Sequence, residues 1–266
     1  MRRAAFVLAA LVAAAAPSCG PRGEPDGAST RSYSGERVSD LRLATTLERH
    51  VDLRYRLAVP REYGKDPERR WPLILFLHGA GARGNDLAKV AQLGPIARAE
   101  ADPDFPFVVA APLCPAGEWW DTDALAALLD ELEATLLVDT SRVYLTGMSM
   151  GGFGTWELAL EHPDRFAAVA PLCGGGDMMK AYLTKGTAHG DAIARLPIRA
   201  VHGTDDPTVP FAETERMVAA VEYLGNVVDF VVVEGAGHDV WTATYSDPAF
   251  YDWLLEHRSE RTVTAR

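Results

Sequence analysis

Residues 73–77, LILFL, are continuously apolar. The run shows none of the alternation expected of a strand with one wet face, so it reads as a strand covered on both sides. Residues 51–59 also read as a strand, and residues 105–111, 143–146, 166–172, 198–201 and 227–233 resemble 73–77 less cleanly. Between them lie stretches with helical spacing: residues 86–101, 122–137, 213–224 and 248–257, the second with Asp121 or Thr122 placed to cap it. Strands alternating with helices predict a mostly parallel sheet with helices on both faces. Short links and right-handed crossovers make it doubly wound. Ligands of such sheets bind at the carboxyl ends of the strands, so the residues just after each strand are the candidates for chemistry. Only 22 residues separate Cys173 from Leu196, too few for a large cap domain, though a short helix fits residues 177–183.

The amino-terminal pattern is different. Arg2 and Arg3 precede 13 uncharged residues, 4–16, too short to span a bilayer but suited to the core of a signal peptide. The run ends Ala16-Pro17-Ser18-Cys19-Gly20. This resembles a bacterial lipoprotein cleavage site, which makes Cys19 a candidate for lipidation; Ala16 and Ser18 equally suit ordinary signal peptidase. Residues 19–40 are rich in Gly, Pro, Ser and charge and read as a flexible tether. The expected organisation is a signal peptide over 1–18, the tether over 19–40 and one globular domain over 41–266. The expected location is outside the cytoplasm: lipid-anchored to a bacterial membrane, periplasmic or secreted.

Composition narrows the chemistry. With 48% hydrophobic and 24% charged residues, the chain has an ordinary globular balance. Its 37 acids against 26 Lys and Arg give a net charge of −11, which disfavours a nucleic-acid partner. Three cysteines cannot form a disulfide framework. Cys114 and Cys173 follow strands that the usual order of such sheets separates by two others, so both are expected to be free thiols.

The sharpest motif is Gly147-Met148-Ser149-Met150-Gly151, between the strand at 143–146 and a following helix. A tight strand-to-helix turn lifts the Ser149 hydroxyl above the sheet, and the flanking glycines let strand and helix approach closely. The new helix N-terminus favours negative charge developing there. A serine nucleophile needs a base and an orienting acid, in the chain order Ser, Asp or Glu, His. His238 lies in the Gly-rich turn after the strand at 227–233 and is the candidate base. Asp205 and Asp206, after the strand at 198–201, compete for the acid's role. An oxyanion hole would take one backbone N–H from Met150 and one from the loop His78-Gly79-Ala80-Gly81, where Ala80 is the candidate. His78 then reads as a structural residue holding that loop.

The same loop matches a dinucleotide fingerprint, Gly79-Ala80-Gly81-Ala82-Arg83-Gly84. The ribose-binding acid expected at the end of the next strand is missing, so no cofactor is implied. No HExxH, CxxC or EF-hand pattern implies a metal.

Residues 55–86, the stretch Pro112-Leu113-Cys114-Pro115 with Trp119, the GMSMGG turn, residues 171–177, and Gly237-His238-Asp239-Val240-Trp241 through 252–255 together resemble a known group. These are the bacterial α/β-hydrolase esterases of the phospholipase/carboxylesterase and polyhydroxybutyrate-depolymerase-like type, many of them called predicted peptidases or prolyl-oligopeptidase-like. The resemblance implies an α/β-hydrolase fold and a serine hydrolase activity. Its H-G-x-x-D-x-x-V-P pattern begins here at His202 and places the acid on Asp206, 57 residues after Ser149 and 32 before His238.

Trp119, Trp120 and Trp241 follow strand ends and are candidates for an aromatic substrate wall. An open, partly aromatic cleft would suit an ester on a bulky carrier such as a polysaccharide. The expected activity is hydrolysis of carboxylic esters through an acyl-enzyme. A serine peptidase with the same triad, or a catalytically silent binding module, are the rival readings.

Overall fold

The computed structural model describes residues 45, 46 and 48–260. The expected signal peptide, tether and Cys19 lie outside the described residues. From Arg49 onward the chain forms one compact unit.

Seven strands form one sheet: β1 (Tyr55–Ala58), β2 (Trp71–Leu77), β3 (Val108–Pro112), β4 (Val138–Met148), β5 (Ala168–Leu172), β6 (Arg199–Gly203) and β7 (Asp229–Val233). Their order is β1-β3-β2-β4-β5-β6-β7. Only β1, at the edge, runs antiparallel, against β3; the other pairings are parallel. The run at 51–59 therefore pairs over four residues only. Strand β4 is longer than its apolar run, because its first half, with Asp139, Ser141 and Arg142, is polar and half-buried. Strands β3 and β5 are separated by β2 and β4, and Cys114 and Cys173 are free thiols.

Every residue of β2 is buried. Leu73, Leu75 and Leu77 pack into one core with Leu125, Leu129, Trp156 and Met217, while Ile74 and Phe76 pack into the other with Ile96, Tyr251 and Leu254. Each large apolar side chain so buried contributes roughly 1.5–3 kcal/mol. This two-sided burial is why the run lacks a period-2 pattern.

The helices are α1 (Gly94–Ala101), α2 (Thr122–Thr135), α3 (Met150–Glu161), α4 (Met178–Tyr182), α5 (Ala188–Arg195), α6 (Ala212–Leu224), α7 (Trp241–Ser246) and α8 (Pro248–Glu256). Asp121 caps α2 by accepting the Ala124 N–H at 3.1 Å. The continuous helix expected over 86–101 is broken into a 3₁₀ stretch, Leu87–Gln92, and α1. Gly94 sits at φ +50°, and a Cβ there would lie 2.6 Å from the Phe76 ring, so the chain turns where only glycine fits. Short helices α4 and α5 occupy the chain between β5 and β6, where among the described residues no larger insertion is present. Helix α5 carries no apolar run long enough to have been legible, and neither does α7.

Candidate active site

Ser149 stands between β4 and α3 with φ +56° and ψ −121°, a backbone that side chains rarely adopt. The strain is held by close packing on both sides. A Cβ on Gly147 would sit 2.4 Å from the Gly151 carbonyl oxygen, and one on Gly151 only 1.9 Å from that of Leu77. The Ser149 N–H donates to the Leu172 carbonyl at 3.0 Å, fixing the turn to β5. These contacts present the hydroxyl at the carboxyl end of the sheet.

There the loop after β7 brings His238 Nε2 to 2.9 Å from Ser149 Oγ. His238 Nδ1 donates to Asp206 Oδ2 at 2.6 Å, which leaves Nε2 as the acceptor facing the serine. Asp206 Oδ1 accepts the Thr208 and Val209 N–H groups at 2.8 and 2.9 Å. Burial pushes the Asp206 carboxyl up, but its bond to His238 and the two backbone donors outweigh this and hold it below the usual carboxylate range. The group is thus a fixed anion aimed at the imidazole. Asp205 is exposed and faces Thr204 instead.

His202, read from the sequence only as the start of a motif, is fully buried beside the acid. Its Nε2 lies 3.1 Å from Asp206 Oδ2 and 3.0 Å from the Val209 carbonyl, and its Nδ1 lies 2.7 Å from Thr214 Oγ1. Thr214 in turn donates to the Gly174 carbonyl at 2.5 Å. The ring therefore ties the turn carrying Asp206 to α6 and to the loop after β5.

The loop after β2 approaches the serine from the other side. A Cβ on Gly79 would be 3.9 Å from Ser149 Oγ. Met150 and Ala80 are the first residues of α3 and of a 3₁₀ turn, Ala80–Ala82, so their N–H groups have no intrahelical acceptor. His78 holds this loop: its Nδ1 donates to the Gly79 carbonyl at 2.7 Å and its Nε2 accepts the Cys114 N–H at 3.1 Å. Burial pushes the His78 pKa down, in keeping with a neutral ring that donates from one nitrogen and accepts at the other.

Ser149 and His238 line a cleft of about 570 Å³ whose walls include Ala80, Lys89, Gln92 and Trp241. Trp241 meets the His238 ring edge-on at 5.1 Å. The other two tryptophans depart from the expected wall. Trp120 is buried, with its indole N–H donated to the His78 carbonyl at 3.3 Å, because its ring fills the space over Gly154. Trp119 is 52% exposed against Phe153, outside the cleft lining. Lys89 and Gln92 carry no sequence signal, since nothing in the short 3₁₀ stretch LAKVAQ marks which residues face a cleft.

Cys173, Asp206 and His238 place ligand-type atoms within 4.8 Å of one another. Burial pushes the Cys173 thiol up to about 12, so it stays protonated, and the carboxylate and imidazole are engaged with each other. Such a set is poorly suited to a cation, which needs a thiolate and free lone pairs.

A strained serine turn, a histidine within hydrogen-bond reach and a mostly parallel sheet together define the α/β-hydrolase fold. Residues 45–182 match the family described as "Putative esterase", and residues 121–247 match the one described as "Phospholipase/Carboxylesterase". The first of these matches spans more than half of the sequence, and the chain belongs to that family. It is 31% identical over 242 residues to "Putative esterase NocK" of Nocardia uniformis subsp. tsuyamanensis, covering 79% of this chain and 65% of that protein. It is 30% identical over 162 residues to "Probable feruloyl esterase C" of Aspergillus terreus, covering 59% and 56%. The crystal structure of a thermostable esterase superposes with a TM-score of 0.65 at 31% identity, over 78% of this chain and 60% of that one. The chain thus spans less than two thirds of the length of each of these relatives.

Proposed function

We propose that this protein hydrolyses carboxylic esters through Ser149, His238 and Asp206, by way of an acyl-enzyme. His238 Nε2 takes the Ser149 proton as Oγ attacks the ester carbonyl, and returns it to the departing alkoxide. Water, deprotonated by the same nitrogen, then releases the acid and regenerates Ser149. The N–H groups of Met150 and Ala80 receive the negative oxygen of each tetrahedral intermediate. Asp206 holds the tautomer and stabilises the imidazolium.

The observation that carries this reading is the continuous chain Ser149 Oγ, His238, Asp206 at 2.9 and 2.6 Å on the wall of an open cleft. Absence of a cap over the described sheet and the feruloyl esterase relatives support an ester on a bulky carrier, such as a substituted polysaccharide. On the strength of the apolar run at 4–16 we further read the chain as exported, either lipid-anchored through Cys19 or periplasmic or secreted.

The test is a fluorophosphonate probe followed by a panel of nitrophenyl esters and peptide anilides. Wild type should be labelled and should turn over the esters; Ser149→Ala should do neither. Faster cleavage of the anilides, or labelling that survives in Ser149→Ala, would overturn the proposal.

A further inference from the structure

Four lysines occur in the chain: Lys65, Lys89, Lys180 and Lys185. Three are engaged. Lys65 pairs with Glu62 at 2.7 Å, Lys180 with Glu157 and Glu161, and Lys185 with the Tyr223 carbonyl and ring. The side chain of Lys89, on the 3₁₀ stretch Leu87–Gln92, makes no ion pair, hydrogen bond or ring contact among the described residues. Among the described residues Lys89 is also the one Lys, Arg, Asp or Glu that lines the cleft.

A second hollow of about 380 Å³ adjoins this cleft, sharing Gln92, Leu93 and Trp241 with it. Its one charged lining residue is again a cation, Arg98. Arg98 donates to the Ser246 carbonyl and lies over the Phe105 and Tyr251 rings, with no carboxylate partner. The protein carries 37 acidic residues and a net charge of −11, yet no acid among the described residues lines either hollow. A groove with unpaired cations and no carboxylate, on a chain otherwise so acidic, is complementary to an anion.

We propose that the cleft takes esters bearing a carboxylate away from the reacting carbonyl, and that Lys89 is the residue that receives this charge. The proposal rests on the esterase reading above and deepens it. The Gln92 amide, on the same wall, can donate a hydrogen bond to the same group. Arg98 extends the attraction along the groove for a longer substrate. The contact is present in both ground and transition state, so it acts through KM more than kcat.

Two matched substrate pairs test it. Nitrophenyl hemiglutarate against nitrophenyl hexanoate places the charge on the acid part; 4-acetoxybenzoate against its methyl ester places it on the alcohol part. In wild type at low salt, one pair should show an anionic-to-neutral ratio of kcat/KM that exceeds the ratio in Lys89→Met by about tenfold. The excess should lie mainly in KM and shrink with added salt. Lys65→Met, which changes net charge equally far from the cleft wall, should keep the wild-type ratio. Comparing ratios cancels the intrinsic reactivity of each ester. Equal ratios in wild type and Lys89→Met for both pairs, with the neutral esters hydrolysed, would overturn anion recognition and leave the esterase reading standing. Hydrolysis of none of the four esters by wild type would overturn both.

Discussion

The indole of Trp120 donates its N–H to the backbone carbonyl of His78 at 3.3 Å, and the two rings meet edge-on at 4.9 Å. His78 in turn holds the Gly79–Ala80 segment beside Ser149. Trp120 therefore acts on the site from beneath the loop. Trp120→Phe keeps most of the packing but leaves the His78 carbonyl without this donor, at a cost of about 1–3 kcal/mol. We expect a lower urea midpoint together with a fall in kcat larger than any change in KM. An unchanged midpoint would remove the hydrogen bond from the account of the loop.

Asp205 and Asp206 should separate by activity. Asp206→Asn preserves the shape but loses the acceptor for His238 Nδ1–H, and turnover should fall by about 10⁴. Asp205 is exposed and accepts only from Thr204. Asp205→Asn should stay within about tenfold of wild type, a barrier change below roughly 1.4 kcal/mol. Steady-state ester hydrolysis by the two folded variants decides it; the reverse ranking would move the acid to Asp205.

Close packing of the serine turn gives a stability prediction. A Cβ on Gly151 would lie 1.9 Å from the Leu77 carbonyl oxygen, backbone against backbone, so α3 would have to move off β2. Gly151→Ala should cost about 3 kcal/mol or more, and poor recovery of soluble protein is the expected result. Gly81→Ala, with nothing within 4 Å of the new methyl, should leave the denaturation midpoint within about 1 kcal/mol of wild type.

Acid should weaken the fold in a defined window. Burial pushes the pKa of both His78 and His257 below the ordinary 6.5. Below pH 6.5 the unfolded chain takes up protons at these rings that the folded chain does not, so stability falls as pH drops through this range. The depressed Asp206 carboxyl adds a further loss only at lower pH, starting near its unfolded value of 3.8. Urea midpoints at pH 7.5 and 5.5 should differ in wild type, and by less in His78→Gln. An equal drop in that variant would show that His78 does not contribute.

Much of this was legible in the chain itself. The LILFL run announced a strand buried on both faces because a parallel sheet covered by helices leaves no wet side to pattern. The glycines around Ser149 announced a turn where strand and helix touch, and the distances at Gly147 and Gly151 show why nothing larger fits. Those are local signals: they depend on residues a few positions apart, and so they survive in one dimension.

What the sequence could not decide are relations across distance. Two aspartates follow β6, and although the resemblance favoured Asp206, the residues by themselves left both open, because which one faces His238, 32 residues on, depends on how the turn directs its carboxylates. Trp119 and Trp120 are neighbours of the same type, yet one is exposed and the other fills the space over Gly154. Helix α7 spans six residues, too few for a period to show, and is positioned by packing against α1 and α8. Lys89 is unremarkable in sequence and becomes the lone ammonium of the cleft only once the chain turns at Gly94 and lays that stretch along the site. Composition and spacing specify which groups a chain owns and what its backbone can do nearby; which groups meet is set by the packing of the whole sheet and its helices, where each contact is chosen against every other.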